Sequence, residues 1–233
     1  MSPMLEALKL GLPSLGLELE DAVCQKLCDF GQAVVEQNKV MNLTAITEPS
    51  LVAKLHLIDS ISLLKIMDLK GKQVIDVGCG AGFPGVPLKI ACPEMKLTLL
   101  DSLGKRMTWL ETVLPQLGVD ARCITARAEE AVVDRRESYD FATSRAVARL
   151  NILLELTAPY VKVGGAVLAM KGMAAKEELE EAKTAIRKLG LKVETVKEFP
   201  IEDTAHTVIV LRKIAHTPPQ YPRRYAKIKQ SPL

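Results

Sequence analysis

Aromatic residues make up only 4% of the 233-residue chain, with a single Trp. That scarcity excludes an extended stacking platform for single-stranded nucleic acid. No apolar run reaches the ~18 residues that a membrane-spanning helix needs, so no membrane association is expected. The five cysteines, at 24, 28, 79, 92 and 123, show no Cys-x-x-Cys spacing. Cys24 and Cys28 would share one helix face, but no His/Cys pair completes a zinc set, so no metal is expected. Reduced, buried thiols in a cytoplasmic protein are the simpler reading. Met1–Leu17 carries one base, Lys9, and is broken by Gly11 and Pro13, which is not a secretory pattern. Asn42-Leu43-Thr44 therefore carries no weight as a glycosylation acceptor.

Acid is missing from the last thirty residues. Residues 204–233 hold Arg212, Lys213, Arg223, Arg224, Lys227 and Lys229, a charge of +6, whereas the whole chain is only +3. A basic tail on a slightly acidic body points to a polyanion partner. What is abundant is apolar: 48% of residues, against 25% charged. A sizeable core is expected, in one large domain at ~150 residues per domain, or one domain with a modest extension.

Residues 18–40 read as an amphipathic helix with Val23, Leu27, Phe30 and Val34 on one stripe. A second helical pattern covers 50–67, through Leu51, Leu55, Ile58, Ile61 and Leu64, with Ser50 as N-cap. From residue 73 short apolar runs alternate with helical stretches. The runs are Gln73–Val77, Leu97–Leu100, Ala121–Thr125, Asp140–Thr143, Ala166–Met170, Leu191–Val196 and Thr207–Leu211. Helical stretches fall at 103–117, 147–158 and 174–189, and Gly164-Gly165 forms a turn before the fifth run. Such alternation implies right-handed crossovers and an α/β fold. Only Lys197–His206 separates the last two runs, which predicts a mostly parallel seven-stranded sheet with an antiparallel last pair. The expected organisation is an N-terminal helical extension (1–68), an α/β domain (69–215) and a basic C-terminal tail (216–233).

The most informative segment is Val74-Ile75-Asp76-Val77-Gly78-Cys79-Gly80-Ala81-Gly82-Phe83-Pro84-Gly85. A strand ends in Asp76, and alternating glycines allow positive φ and close approach of a ligand. Gly80-x-Gly82-x-x-Gly85 formally matches the dinucleotide pattern of a nicotinamide-dependent oxidoreductase. Gly78-x-Gly80-x-Gly82 with Asp76 upstream matches the S-adenosylmethionine loop of Rossmann-like class I methyltransferases. A pyrophosphate wants free N–H groups at the first helical turn, and Pro84 and Pro87 remove donors there. Asp76 would also repel a phosphate, but could hold the cofactor's ammonium. The methyl donor is therefore favoured. Asp101, ending the second strand, can accept hydrogen bonds from two ribose hydroxyls or cap the next helix. Glu129 and Glu130 stand where adenine-edge contacts are expected, although exposed loop acids would read the same.

At the substrate end the fourth run finishes Thr143-Ser144-Arg145-Ala146. It lacks the Pro-Pro-aromatic motif of exocyclic-amine methyltransferases. Carbon-5 chemistry needs a nearby cysteine, and Cys123 falls within a strand. A ring nitrogen with a free lone pair, such as guanine N7, needs neither device and is aligned by proximity alone. Arg145 and Lys171 are candidates to hold the methionine carboxylate, guanine O6 or a phosphate, or else to form structural ion pairs. His56, Asp59 and Ser60 cannot act as a hydrolytic triad from one helical turn. His56 and Asp59 read instead as a face toward the α/β domain, either structural or in contact with substrate.

The chain resembles the RsmG (GidB) family of bacterial 16S ribosomal RNA guanine-N7 methyltransferases. The resemblance runs from about Asn38 onward, through Asn42-Leu43-Thr44, His56-Leu57-Ile58-Asp59-Ser60, the glycine loop, Leu100-Asp101-Ser102-Leu103-Gly104-Lys105-Arg106, Ser144-Arg145-Ala146, Lys171-Gly172 and Tyr221-Pro222-Arg223-Arg224. It implies S-adenosylmethionine as cofactor, with family cofactor positions at Gly78, Phe83, Ala128, Glu129 and Arg145. It implies 16S ribosomal RNA or the small ribosomal subunit as partner, and a monomer is expected. In the tail, Arg224-Tyr225-Ala226 replaces the family's Arg/Lys-x-Gly. Arg223, Arg224, Lys227 and Lys229 are the expected RNA-binding cations, since phosphate contacts supply salt-dependent affinity. Low aromatic content turns recognition toward folded RNA shape with one guanine exposed or flipped. The alternatives are a methyltransferase for another base, a protein or a small molecule, or a non-catalytic RNA-binding assembly factor.

Overall fold

The computed structural model describes residues 2–201 and 204–233. α1 (Pro3–Gly11) starts where Ser2 Oγ accepts the Leu5 N–H, with Pro3 in its first turn. α2 (Asp21–Asn38) turns Cys24, Leu27, Cys28, Phe30 and Val34 inward. Its apolar face is rotated from the expected stripe, because Val23 is only half-buried.

The helix expected over 50–67 forms, but irregularly. It runs as α3 (Pro49–Val52), a π-helical stretch (Ala53–Ile58), α4 (Asp59–Ile61) and a 3-10 turn (Ser62–Lys65). Ser50 is not its cap: the Glu48 carboxylate accepts the N–H groups of Ser50 and Leu51. The expected stripe is met at Ile58 and Ile61, which are buried, but not throughout. Leu51 is exposed, whereas Val52, Leu57 and Leu63 are buried. Wider π turns change the angular step per residue, and His56 and Asp59 both end up buried.

The strands are β1 (Gln73–Val77), β2 (Lys96–Asp101), β3 (Arg122–Thr125), β4 (Tyr139–Arg145), β5 (Val161–Lys171), β6 (Leu191–Ile201) and β7 (Thr204–Lys213). Among the described residues they form one sheet of seven strands, ordered β3-β2-β1-β4-β5-β7-β6. β7 is antiparallel to both neighbours, and the other pairs are parallel. The intervening helices are α5 (Gly85–Ala91), α6 (Gly104–Gln116), α7 (Ala128–Ala131) and α8 (Leu150–Thr157). The charged helix expected over 174–189 divides at Ala182 into α9 (Ala175–Glu181) and α10 (Lys183–Lys188), and α11 (Tyr225–Gln230) closes the chain. Gly164-Gly165 lies inside β5 rather than before it. Most of Lys197–His206 is strand, and residues 202 and 203 lie outside the described residues.

Successive strand residues face opposite sides. Val74, Leu99, Phe141, Leu168 and Val210 share one core with α1 and α2. Ile75, Leu100, Ala142, Val167 and Ile209 share the other with α8, α10 and Tyr221. Residues 2–68 therefore form a layer over the sheet and share its core. β1 has β2 on one side and β4 on the other. That is the switch point of the sheet, and the crevice at its carboxyl end is where open α/β sheets bind ligands.

The tail packs onto the second layer. Arg136 donates to the carbonyls of Thr217, Pro218 and Tyr221. Arg223 grips Glu155 through its backbone N–H (2.9 Å), Nε (2.8 Å) and Nη2 (2.6 Å). Glu155 is fully buried, so its carboxylate needs this counter-charge. The Arg223 guanidinium, expected to face RNA, is held in that ion pair. Arg223→Ala should leave Glu155 buried and unpaired, costing about 3 kcal/mol of unfolding free energy in urea denaturation. A midpoint unchanged from wild type would show that the pair contributes nothing.

Candidate active site

Leaving β1, the chain folds back against β2. The N–H groups of Gly78 and Cys79 donate to the Leu100 carbonyl at 2.8 and 3.2 Å. Gly80 N–H donates to Asp101 Oδ2 at 2.9 Å, while Asp101 Oδ1 accepts from Leu103 N–H at 2.9 Å. Asp101 thus does not cap α6; it pins the glycine loop to the end of β2. Gly78 has φ +72°, and a Cβ there would lie 2.4 Å from Val147 Cγ2. No side chain fits at that position without moving Val147.

The first turn of α5 has no free donor for a phosphate. Gly85 N–H donates to Asp76 Oδ2 at 2.8 Å, Val86 N–H to the Gly82 carbonyl and Leu88 N–H to the Pro84 carbonyl. Pro87 has no N–H. A dinucleotide diphosphate would find no free amide there.

Two cavities adjoin at Gly78, Arg106, Ala146 and Val147, with volumes of about 890 and 380 Å³. The smaller is lined by Asp101, Leu103, Arg127, Ala128, Glu129 and Tyr225. An acid at a strand end beside apolar and aromatic walls suits a nucleoside. The larger is lined by His56, Asp59, Phe83, Arg145, Lys171 and His206.

Asp59 organises the larger cavity. Its Oδ2 accepts from Arg145 Nη1 at 2.9 Å, and its Oδ1 meets His206 Nδ1 at 2.8 Å. Arg145 also donates to the Leu55 carbonyl and reaches His56 Nδ1 at 3.2 Å. Its guanidinium stands 5.1 Å from the Phe83 ring centroid, a cation–π distance. His56 Nδ1 also lies 3.1 Å from the Leu55 carbonyl, and Nε2 is 2.8 Å from Thr44 Oγ1, so both ring nitrogens have hydrogen-bond partners. Burial, and then the nearby Arg145 charge, push the His56 imidazole down to about 4. It is neutral at physiological pH. Lys171 is matched by Glu178 at 2.8 Å and by the Ala148 carbonyl at 2.5 Å.

The structure brings together in these cavities Gly78, Gly80, Phe83, Asp101, Ala128, Glu129, Arg145 and Lys171. Asp76 and Gly82 line neither. Asp76 is wholly buried beneath the loop. Gly82 packs against Val86, Leu110 and Phe30. Glu130 is exposed and outside. His56 and Asp59 do not hydrogen-bond each other among the described residues; both engage Arg145 or its partners. Ser60 Oγ donates to the His56 carbonyl, a helix-internal bond. Arg224, Lys227 and Lys229 are exposed and have no ion pair among the described residues. Missing from the sequence reading were His206 and Tyr225, and no spacing connects either to the site. Arg106, which joins the two cavities and donates to the Asn42 carbonyl, sat in a recognisable motif with no role assigned.

This sheet order, with its crevice at the β1 switch point, defines the fold of S-adenosylmethionine-dependent methyltransferases. One such enzyme from Aquifex aeolicus matches with a TM-score of 0.54 at 20% identity, over 76% of this chain and 97% of that one. More specifically, the family model for GidB, rRNA small subunit methyltransferase G, matches residues 23–207. Proteins named ribosomal RNA small subunit methyltransferase G share 44% identity in Alkaliphilus metalliredigens, over 97% of each chain. The one from Acetivibrio thermocellus shares 45%, over 96% of this chain and 94% of its own. The chain belongs to this family.

Burial pushes the Asp76 carboxyl up to about 7, against the opposing pull of the Gly85 N–H and Arg145. Its Oδ1 has no partner among the described residues. A carboxyl raised by folding stabilises the folded state while protonated. That contribution is complete below 3.8 and is lost as pH rises through about 7. Asp76→Asn keeps an acceptor for Gly85 and removes the titration. In the ligand-free protein, its Tm relative to wild type should climb from about pH 5 to about pH 8. A pH-independent difference would show that Asp76 is ionised throughout.

Proposed function

We propose that this chain transfers a methyl group from S-adenosylmethionine to N7 of one guanine in 16S ribosomal RNA. The observation that carries the reading is the pair of cavities meeting at Gly78: one sets the strand-end acid Asp101 beside apolar and aromatic walls that suit a nucleoside, and the other opens next to it with room for a substrate base. Membership of the rRNA small subunit methyltransferase G family supports the same substrate.

When bound, S-adenosylmethionine supplies an electrophilic methyl group on sulfur. Asp101 accepts from the ribose hydroxyls with its remaining lone pairs, beside Ala128 and Glu129. Gly78 and Gly80 let the ligand lie against the backbone. Asp76 acts from below, shaping the loop through Gly85.

Guanine N7 has no proton to remove, so the transfer asks no base of the larger cavity. Asp59 and Glu178 are held in ion pairs, and His56 is neutral and hydrogen-bonded on both nitrogens. Burial holds the Cys79 thiol well above its ordinary value, so it is no nucleophile. The chain's contribution is alignment and exclusion of water, which together can supply about 7–11 kcal/mol of barrier lowering. Arg145, fixed by Asp59, orients substrate from the rim. Its charge is already matched, so it does not oppose the positive charge that develops on the purine. A ribosomal RNA substrate supports a cytoplasmic location.

The decisive measurement is nucleoside mass spectrometry of small-subunit rRNA with and without the gene. Loss of 7-methylguanosine is expected; an unchanged content overturns the reading. Purified protein should methylate rRNA, naked or in the assembled subunit, but no small molecule. Asp59→Asn should lower kcat by about tenfold or more, with cofactor affinity retained, because Arg145 loses its anchor. An unchanged kcat would remove Asp59 from the site's organisation. Replacing Arg224, Lys227 and Lys229 together by Gln should weaken rRNA binding and flatten its log–log salt dependence by about 2–3. An identical slope would show that the tail does not touch phosphate.

A further inference from the structure

Aromatic side chains are rare in this protein, yet one comes from the C-terminal tail into the wall of the smaller cavity. Tyr225, the first residue of α11, shares that wall with Asp101, Leu103, Ala128 and Glu129. Its position is held from both sides. Two residues earlier Arg223 is locked to Glu155, and three residues later Ile228 is fully buried. The Arg127 guanidinium lies 4.9 Å from the Tyr225 ring centroid and is itself paired with Glu129 at 2.7 Å. A run of contacts thus leads from a cavity acid, through Arg127, to the tail ring.

We propose that Tyr225 is a nucleoside-binding residue, and that it couples occupancy of the cofactor cavity to docking of the basic tail. An aromatic ring beside a ribose-binding acid has the chemistry that recognises a purine face. The ring belongs to the segment that carries Arg224, Lys227 and Lys229, all exposed. A ligand that touches Tyr225 holds that segment down and presents its three cations in a fixed geometry. By linkage, polyanion bound to those cations tightens nucleoside binding by the same factor. This inference rests on the smaller cavity being the nucleoside site proposed above.

The test is calorimetric titration of the full-length protein with S-adenosylhomocysteine. Wild type should bind, Tyr225→Phe should bind alike, and Tyr225→Ala should bind about tenfold more weakly with a Tm close to wild type. Equal affinity in wild type and Tyr225→Ala overturns the inference while leaving the proposed function standing. No binding by wild type overturns both. If Tyr225→Phe weakens as much as Tyr225→Ala, the aromatic face is not what binds and the inference also fails. The coupling has its own readout in limited trypsin digestion followed by mass spectrometry. S-adenosylhomocysteine should slow cleavage after Arg224 and Lys227 in wild type but not in Tyr225→Ala. Equal cleavage of wild type with and without ligand overturns the coupling.

Discussion

Two backbone amides of the loop after β1 are held by carboxylates, and the rest of the site is positioned from that arrangement. Asp101 takes the Gly80 N–H and Asp76 takes the Gly85 N–H. A buried N–H without a partner is costly, so these bonds select one conformation of a glycine-rich segment that could adopt many. They bring Gly78 against Val147, where the two cavities join. The Asp76 bond also takes the Gly85 amide at the start of α5, one of the donors that a phosphate would need. The same bonds that hold the loop therefore restrict the kind of cofactor the site can accept.

The second organising contact crosses a much longer stretch of sequence. Asp59 comes from the N-terminal layer, Arg145 from the end of β4 and His206 from β7, and the three meet in one hydrogen-bonded group. The π-helical turn places His56 and Asp59 on this side. A regular helix would have turned a different set of residues toward the sheet. The N-terminal segment thus does two things with one structure. It covers the apolar face of the sheet through Leu27, Phe30 and Leu57, and it supplies the wall of the larger cavity.

Much of this was legible from the residues. The central apolar runs mark their strands because β1, β2 and β4 are buried on both faces and read as nearly continuous apolar segments. Gly78, Gly80 and Asp101 were legible because glycine spacing and a strand-end acid are local requirements. Arg223 was not, since a basic residue in an acid-free tail reads as solvent-facing until Glu155 is seen beneath it. Asp76 was assigned to the ligand by its place in the motif, and the fold puts it one layer deeper.

Local geometry is what sequence encodes directly: the strand–glycine–helix order, the absence of amide donors at Pro84 and Pro87, the periodic apolar faces and the concentration of positive charge after residue 203. Each depends on neighbours a few residues apart, and φ/ψ preferences and side-chain spacing act at that range. Only the tertiary structure decided which charges are already neutralised, which acid faces a cavity, and that Tyr225 joins Asp101 across more than a hundred residues. Those outcomes depend on which elements pack side by side. Packing is settled by the whole core at once and leaves no mark at any single position.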